Sequence, residues 1–378
     1  MIRRTIRAVR DFDWVLFAAM VSLVAVGMAA IASVTLSQAT PDFGGLLKQG
    51  AAFVLGLVLV FVVGAMNYRA FEPAARIFYL LGAALLVAVL FVGQTVRGTT
   101  GWFAIAGWSF QPVEAAKIVL VLFLARYFSH HAYQRDLRSL VGSGIGALLL
   151  VGLTLLQPDF GSAMVLLAVW VALLLLSGTR RSYVVTLLGL AVVSAVVAWM
   201  FVLKPYQHER ILTFLDPSRD PLGRGYNLTQ SVIAVGSGGL FGRGLGFGSQ
   251  SQLRFLPEAQ TDFIFAVVAE EMGFIAVTAV LALYALLVWR AVRLARLATD
   301  TFTAHVAAGI AILFTIQIAI NVGMNMGLMP VTGIALPFIS YGGSSLLFSM
   351  IMVGILQSIA VRQRSAALTT IDVLERGW

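Results

Sequence analysis

What most limits the folds open to this chain is the recurrence of apolar stretches of about bilayer length, at roughly 13–35, 46–65, 76–94, 113–129, 139–156, 162–178, 182–203, 262–289, 304–327 and 336–361. A spanning helix needs about 20 apolar residues, and in hydrocarbon every backbone polar group must be satisfied within the segment, which leaves the helix as the form for such stretches. Ten of them take up most of the chain. The expected fold is therefore an all-α polytopic membrane protein of about ten transmembrane helices, a single integral-membrane domain over 1–378. One connection, 204–261 between the seventh and eighth spans, is long enough to hold structure of its own. A composition that is 60% hydrophobic and 11% charged excludes an ordinary water-soluble globule. The first stretch is too long for a signal-peptide core and is expected to stay as a helix.

The net charge of +9 does not point to nucleic acid, because the arginines are scattered among short connections rather than gathered on one soluble face. They act as a compass instead, since basic residues favour cytoplasmic loops. Arg3, Arg4, Arg7 and Arg10 put the start inside. Counting two spans at a time, the inside segments hold Arg69 and Arg76, Arg126 with Arg135 and Arg138, Arg180 and Arg181, Arg290 with Arg293 and Arg296, and Arg362 with Arg364. The expectation is a multi-pass protein of the cytoplasmic (inner) membrane with both termini cytoplasmic. The connections rich in Gly, Pro, Asp and polar pairs (95–112, 157–161, 204–261 and 328–336) then lie outside, where ATP is not available. Chemistry there must draw on a substrate that arrives already activated. The absence of Cys excludes disulfides and thiol chemistry.

Polar residues inside spans are costly and mark functional candidates. Gln111-Pro112-Val113-Glu114-Ala115-Ala116-Lys117 sets Glu114 and Lys117 three residues apart, about 60° round a helix. They can form a packing ion pair or line a substrate cavity. The eighth span opens Thr261-Asp262-Phe263-Ile264-Phe265 and carries Glu270 and Glu271 further down, on the order of 12 Å below Asp262. The three cannot share one face, being about 80° and 180° apart from Asp262. Asp262 lies at the water boundary, where spacing alone favours a helix N-cap or first-turn acid.

The 204–261 connection interleaves glycines with Lys204, Arg210 and Arg243, a pattern that suits an anionic ligand and is also ordinary in loops. Its Gly242-Arg243-Gly244-Leu245-Gly246 run lacks the preceding strand a dinucleotide site would need, and no Walker motif is present. Between the last two spans, Asn321 to Gly333 and Leu336-Pro337-Phe338-Ile339-Ser340-Tyr341-Gly342-Gly343-Ser344-Ser345 combine prolines and glycines at helix ends. Such irregular backbone either lines a wet cavity or packs helices closely.

Taken together, three strings resemble the SEDS family (shape, elongation, division and sporulation proteins) over nearly the whole chain: Gln157-Pro158-Asp159-Phe160-Gly161-Ser162-Ala163; Phe255-Leu256-Pro257-Glu258 through Thr261-Asp262-Phe263-Ile264-Phe265 to Glu270-Glu271; and Leu336 to Ser345. The wording from Gly327 to Pro337 leans to the rod-shape branch rather than the division branch. The resemblance implies a peptidoglycan glycosyltransferase that joins lipid II, an undecaprenyl-diphosphate-linked disaccharide peptide, into glycan strands. It implies a class B penicillin-binding protein and other elongation-complex membrane proteins as partners, with a role in elongation and cell shape. It makes Asp262 the essential acid, against the N-cap reading from spacing, and carries Glu114, Lys117 and Asp159 over as functional residues. Ser340 and Tyr341 of the last motif are candidates for substrate binding or cavity lining, and Glu270 and Glu271 of the second are further site candidates. A basic residue is expected just before Trp102, but the chain reads Thr99-Thr100-Gly101-Trp102, leaving Arg97 as the nearest candidate.

On that reading Asp262 is the general base on the acceptor 4-hydroxyl, and attack inverts the anomeric carbon. The departing diphosphate needs cations, supplied by Lys117, Lys204, Arg210 and Arg243, or by a divalent ion (Mg2+ or Mn2+) held partly by carboxylate; the sequence does not decide between them. Glu114 would orient Lys117, and Asp159 would hold Arg210 or another loop cation. Two rival readings are a transporter that flips the lipid-linked precursor and a non-catalytic scaffold for a synthase.

Overall fold

The computed structural model describes residues 11–37, 40–96, 98–105, 107–131, 137–202, 205–220 and 223–376. All ten apolar stretches are helical. In chain order α1 is Trp14–Leu36, α2 Gly44–Ala65 and α3 Phe71–Val92, followed by strands β1 Gln94–Val96, β2 Thr99–Ile105 and β3 Trp108–Phe110. Next come α4 Pro112–His130, α5 Leu137–Leu156, α6 Phe160–Leu176 and α7 Arg181–Val197, which runs on into a π turn Ala198–Val202. The large connection contains α8 Pro205–Leu215, α9 Arg224–Ser237 and α10 Ser249–Gln252, and the last three spans are α11 Ile264–Arg296, α12 Thr301–Asn325 and α13 Gly343–Arg376.

Local chemistry sets these boundaries. Asp13, Asp159 and Asp300 each cap the helix that follows, accepting from Leu16 N, Ser162 N and Thr303 N. Pro112 starts α4, where its missing N–H costs nothing. Among the described residues seven helical segments are long and apolar enough to cross a membrane, from α1 through the Gly343–Arg364 part of α13; α6 and Val185–Phe201 are shorter apolar helices. The remaining span, α4, carries Glu114, Lys117 and Arg126. The crossing portion of α13 is 78% buried against 22% for α2, so α13 runs through the centre of the bundle and α2 along its edge. On α2 and α3, Val54, Leu55, Leu80, Leu81 and Phe91 turn outward, as lipid-facing surface requires.

The structure departs from the expected layout in three places. The 95–112 connection is not a plain loop but a three-stranded antiparallel sheet in the order β1-β2-β3. Its alternating aromatic and β-branched residues are strand formers, and Gly107 (φ 81°) turns the second hairpin. The last span starts at Gly343 rather than near 336, because Phe338 takes φ 67°, outside the helical region, and Leu336 N donates to Ser340 Oγ in a turn ahead of the helix. Finally, α11 is broken: Gly273 has φ 77° and ψ −175°.

Candidate functional site

Asp262 sits in the turn just before α11 and is partly exposed. It is not the helix cap: Phe263 occupies that position, with no side-chain cap bond. Its backbone carbonyl is held instead by two fully buried amides from α12, accepting from Asn321 Nδ2 at 3.1 Å and Asn325 Nδ2 at 3.0 Å. These amides reach further. Asn321 Nδ2 also donates to Ile334 O (2.8 Å), while Asn325 Oδ1 accepts from Ala266 N (3.2 Å). From the large connection, α9 braces the same point, with Ser231 Oγ donating to Asn325 O at 3.0 Å.

The segment between α12 and α13 closes the frame. Ser340 Oγ donates to Thr261 O (2.6 Å) and accepts from Leu336 N (2.8 Å), and Tyr341 N donates to Gln260 O (2.8 Å). Gln49 of α2 locks that segment in turn, donating to Ser340 O and accepting from Gly342 N. A Cβ placed on Gly333 (φ 75°) would stand 3.7 Å from the Asp262 carboxylate, and one on Gly161 2.6 Å from Thr332 O. The Thr332-Gly333 backbone thus lies between the Asp262 carboxyl group and the start of α6. Asp159 is at that start, and its Oδ1 is committed to the α6 cap at 2.9 Å. Burial, and then the nearby Asp42 carboxylate, raise the Tyr341 phenol above its ordinary pKa, so it remains a hydrogen-bond donor at neutral pH.

Glu114 and Lys117 form the ion pair that their spacing allowed, at 2.7 Å and buried. Just before them the sheet docks on α13: Gln111 N donates to Ser344 Oγ, which donates to Ser109 O. Gln157 lies by Gly101, so the sheet also touches the segment carrying Asp159.

Glu270 and Glu271 serve a different task. Both are buried, and each is satisfied by neutral donors: Glu270 by Gln250 N, Ser251 N and Ser249 Oγ, Glu271 by Ser33 Oγ, Ser251 Oγ and Gln252 Nε2. They pin the 246–252 segment to the broken helix. Arg243 belongs to this junction, its N–H donating to Glu270 O at 3.0 Å and its Nε to Ser237 O. It is therefore placed about a dozen ångströms of helix away from Asp262 rather than against it. Arg97 and Lys204 lie outside the described residues, as does the side chain of Arg210. Asn321 and Asn325 were missed from sequence, although two amides four residues apart in an apolar span were a readable signal. Among the described residues no three His, Cys, Asp or Glu side chains converge as metal ligands.

A model of the cell cycle protein family FtsW/RodA/SpoVE matches residues 13–365. The chain belongs to this SEDS family. Named relatives fall in more than one branch of it. The FtsW protein of Thiomicrospira cyclica, named a probable peptidoglycan glycosyltransferase, is 36% identical over 94% of this chain and 93% of its own length. The peptidoglycan glycosyltransferase MrdB of Escherichia coli K12 is 38% identical over 88% of this chain and 90% of its own length. Among solved structures, a chain from a peptidoglycan synthase complex that coordinates polymerization and crosslinking superposes with TM-score 0.79 at 36% identity, covering 93% of this chain and 98% of that one. The SEDS fold, a multi-pass membrane bundle, is thus shared along nearly the full length.

Proposed function

We propose that this SEDS protein is a peptidoglycan glycosyltransferase that polymerises lipid II on the outer face of the cytoplasmic membrane during elongation and cell-shape maintenance. The observation that carries the proposal is a partly exposed Asp262 carboxylate on a backbone fixed by Asn321, Asn325 and Ser340, in a chain 36–38% identical to proteins named for this activity. The elongation role rests on the rod-shape wording from Gly327 to Pro337 and on the likeness to MrdB.

In this reading Asp262 removes the proton of the acceptor 4-hydroxyl as its oxygen attacks the donor's anomeric carbon. The bond from that carbon to the diphosphate oxygen breaks, and the polyprenyl diphosphate leaves with the electron pair, inverting the carbon. A rigid backbone matters because a base works only within hydrogen-bond reach of its proton. Lys117, paired with Glu114 near the start of α4, is proposed as a cation for the leaving group, with Lys204 and Arg210 proposed from the large connection. A divalent ion, Mg2+ or Mn2+, held partly by carboxylate is the alternative source of positive charge for the diphosphate, and no step here runs through it.

The orientation proposed is termini inside and the Asp262 end outside. It is supported by the division of the bundle into one end carrying Asp262 and its frame and another carrying Arg69, Arg290, Arg293, Arg362 and Arg364. The partner proposed is a class B penicillin-binding protein within a set of elongation-complex membrane proteins, in keeping with the synthase complex that the chain resembles. The groups assigned to the reaction lie on the Asp262 side, which favours a polymerase working on one face over a flippase, whose chemistry must engage substrate on both.

The test is polymer formation from labelled lipid II by the wild type and Asp262→Ala, each purified with its cognate class B penicillin-binding protein. Polymer from the wild type alone, with equal thermal stability of the two, is expected. Polymer from both removes Asp262 as base. Polymer from neither, despite a folded complex, favours the scaffold or transporter.

A further inference from the structure

At the end of the bundle away from Asp262, the structure contains a cavity of about 680 Å³ whose walls carry five arginines and one aspartate: Arg69, Arg290, Arg293, Arg362, Arg364 and Asp13. They come from four separate places in the chain: the residue before α1, the turn after α2, the end of α11 and the middle of α13. Basic residues at helix C-termini complement the helix dipole and follow the positive-inside rule. Those effects ask only that arginines lie near the end of a span, not that five of them converge on one cavity.

Four of the five guanidinium groups are also held in place. Arg362 donates through Nη1 to Ser358 O (3.1 Å) and through Nη2 to Ala65 O (3.0 Å), and Arg364 through Nη1 to Phe12 O (3.0 Å) and Asp11 O (3.2 Å). Arg290 and Arg293 both lie against the Trp289 ring, 5.3 and 5.6 Å from its centre. Backbone carbonyls satisfy N–H groups without cancelling charge. The Asp13 carboxylate, 3.3 Å from Arg290, offsets one of the five, and its Oδ1 is shared with the α1 cap. Arg290 Nε is buried with no acceptor among the described residues. Asp300 lines a neighbouring pocket that shares Arg69 with this one, and its carboxylate is occupied by Thr303 and Tyr68.

A largely fixed group of guanidiniums, with a buried Arg290 donor unsatisfied among the described residues, is complementary to a phosphate, whose oxygens accept several hydrogen bonds while neutralising charge. We propose that this cavity binds a phosphate-bearing anion, on the face of the membrane opposite the Asp262 site. Two sources present that chemistry there: the headgroup of an anionic phospholipid and free phosphate.

Native mass spectrometry of the full-length protein, with phosphatidylglycerol or phosphatidylcholine added, reads out the first source. Isothermal titration of inorganic phosphate into the protein in phosphatidylcholine nanodiscs reads out the second. Arg69→Gln/Arg293→Gln is the informative variant, because both side chains are exposed and neither holds the backbone carbonyls that Arg362 and Arg364 hold. Arg296→Gln, at the same end of α11 but outside this cavity, controls for general surface charge. The expected result is retention of phosphatidylglycerol over phosphatidylcholine by about tenfold or more, lost in the double variant and kept in Arg296→Gln. Phosphate binding without a lipid preference, again lost only in the double variant, supports the site with a soluble anion as its ligand. Absence of both signals in the wild type, or either signal unchanged in the double variant, overturns the proposal.

Discussion

The side-chain amide of Asn325 donates to the backbone carbonyl of Asp262 at 3.0 Å while its Oδ1 accepts from Ala266 N at 3.2 Å, so one buried residue of α12 clamps both sides of the α11 start. Asn325→Leu leaves these groups in an apolar interior without their partner. Each unsatisfied buried group costs about 1–3 kcal/mol. The expected outcome is a lower thermal midpoint and a polymerisation rate reduced by about tenfold or more, as the Asp262 carboxylate loses its fixed position. Asn325→Gln, which keeps the chemistry but lengthens the arm, should recover more stability than rate. Differential scanning fluorimetry beside the lipid II gel assay checks both.

Glu271 makes a contrasting prediction. It lies in the same span and the same recognisable string as Asp262, yet its carboxylate anchors Ser33, Ser251 and Gln252. Glu271→Leu should loosen the 246–252 segment and lower stability by about 2–5 kcal/mol, since hydrogen bonds to a charged group contribute more than neutral ones. Because the chain has no Cys, Leu256→Cys gives a unique thiol at a buried position, and its labelling should speed up in the Glu271→Leu background. Unchanged labelling and unchanged stability would mean that Glu271 is not an anchor.

These two residues show how much the sequence disclosed. The ten apolar stretches were legible as helices because long apolar runs in hydrocarbon admit only a helix, although seven of the described helices are long and apolar enough to cross and the last begins at Gly343. Asp262 was visible as a residue but not in its role: spacing favoured a cap, the family resemblance favoured an essential acid, and the structure moves the cap to Phe263. Asn321 and Asn325 escaped notice because their partners lie 59 and 63 residues away, beyond any local pattern. The sheet at Gln94–Phe110 was hidden for another reason: short alternating strands between two spans look like any polar connection until their hairpins are closed.

The Glu114–Lys117 pair separates structural from chemical importance. Removing one partner of a buried pair typically costs about 3–5 kcal/mol, whereas replacing both with apolar residues of similar size is often neutral. Glu114→Gln should therefore destabilise the protein, and Glu114→Leu/Lys117→Met should restore the thermal midpoint. If Lys117 steadies the leaving diphosphate, the restored double variant still fails to polymerise lipid II. Recovery of polymer along with stability would reduce the pair to a packing device and leave the cation role to the large connection.

The break in α11 gives the strongest expectation about folding. At Gly273 the backbone takes φ 77° and ψ −175°, a region essentially reserved for glycine, and non-glycine residues there cost on the order of 1–3 kcal/mol. The break frees backbone groups at mid-span, and the glycine-rich run fills it: Gly244 N donates to Glu271 O at 2.9 Å, and Phe274 N to Gly239 O at 2.9 Å. A Cβ on Gly273 would collide with Gly242 N and the Phe241 carbonyl carbon, and one on Gly242 with Glu271 O. The Gly242-Arg243-Gly244-Leu245-Gly246 string thus earns its glycines by threading against a broken helix, a physical reason independent of any ligand. Gly273→Ala and Gly242→Ala are both expected to lower folded yield and thermal midpoint sharply, with strain and backbone collision adding. Gly236→Ala, where no atom stands within 4 Å of the new methyl group, should be tolerated. Size-exclusion profiles and melting curves of the three variants decide the matter; equal behaviour of all three would show that the junction is not the strained closure that these angles describe.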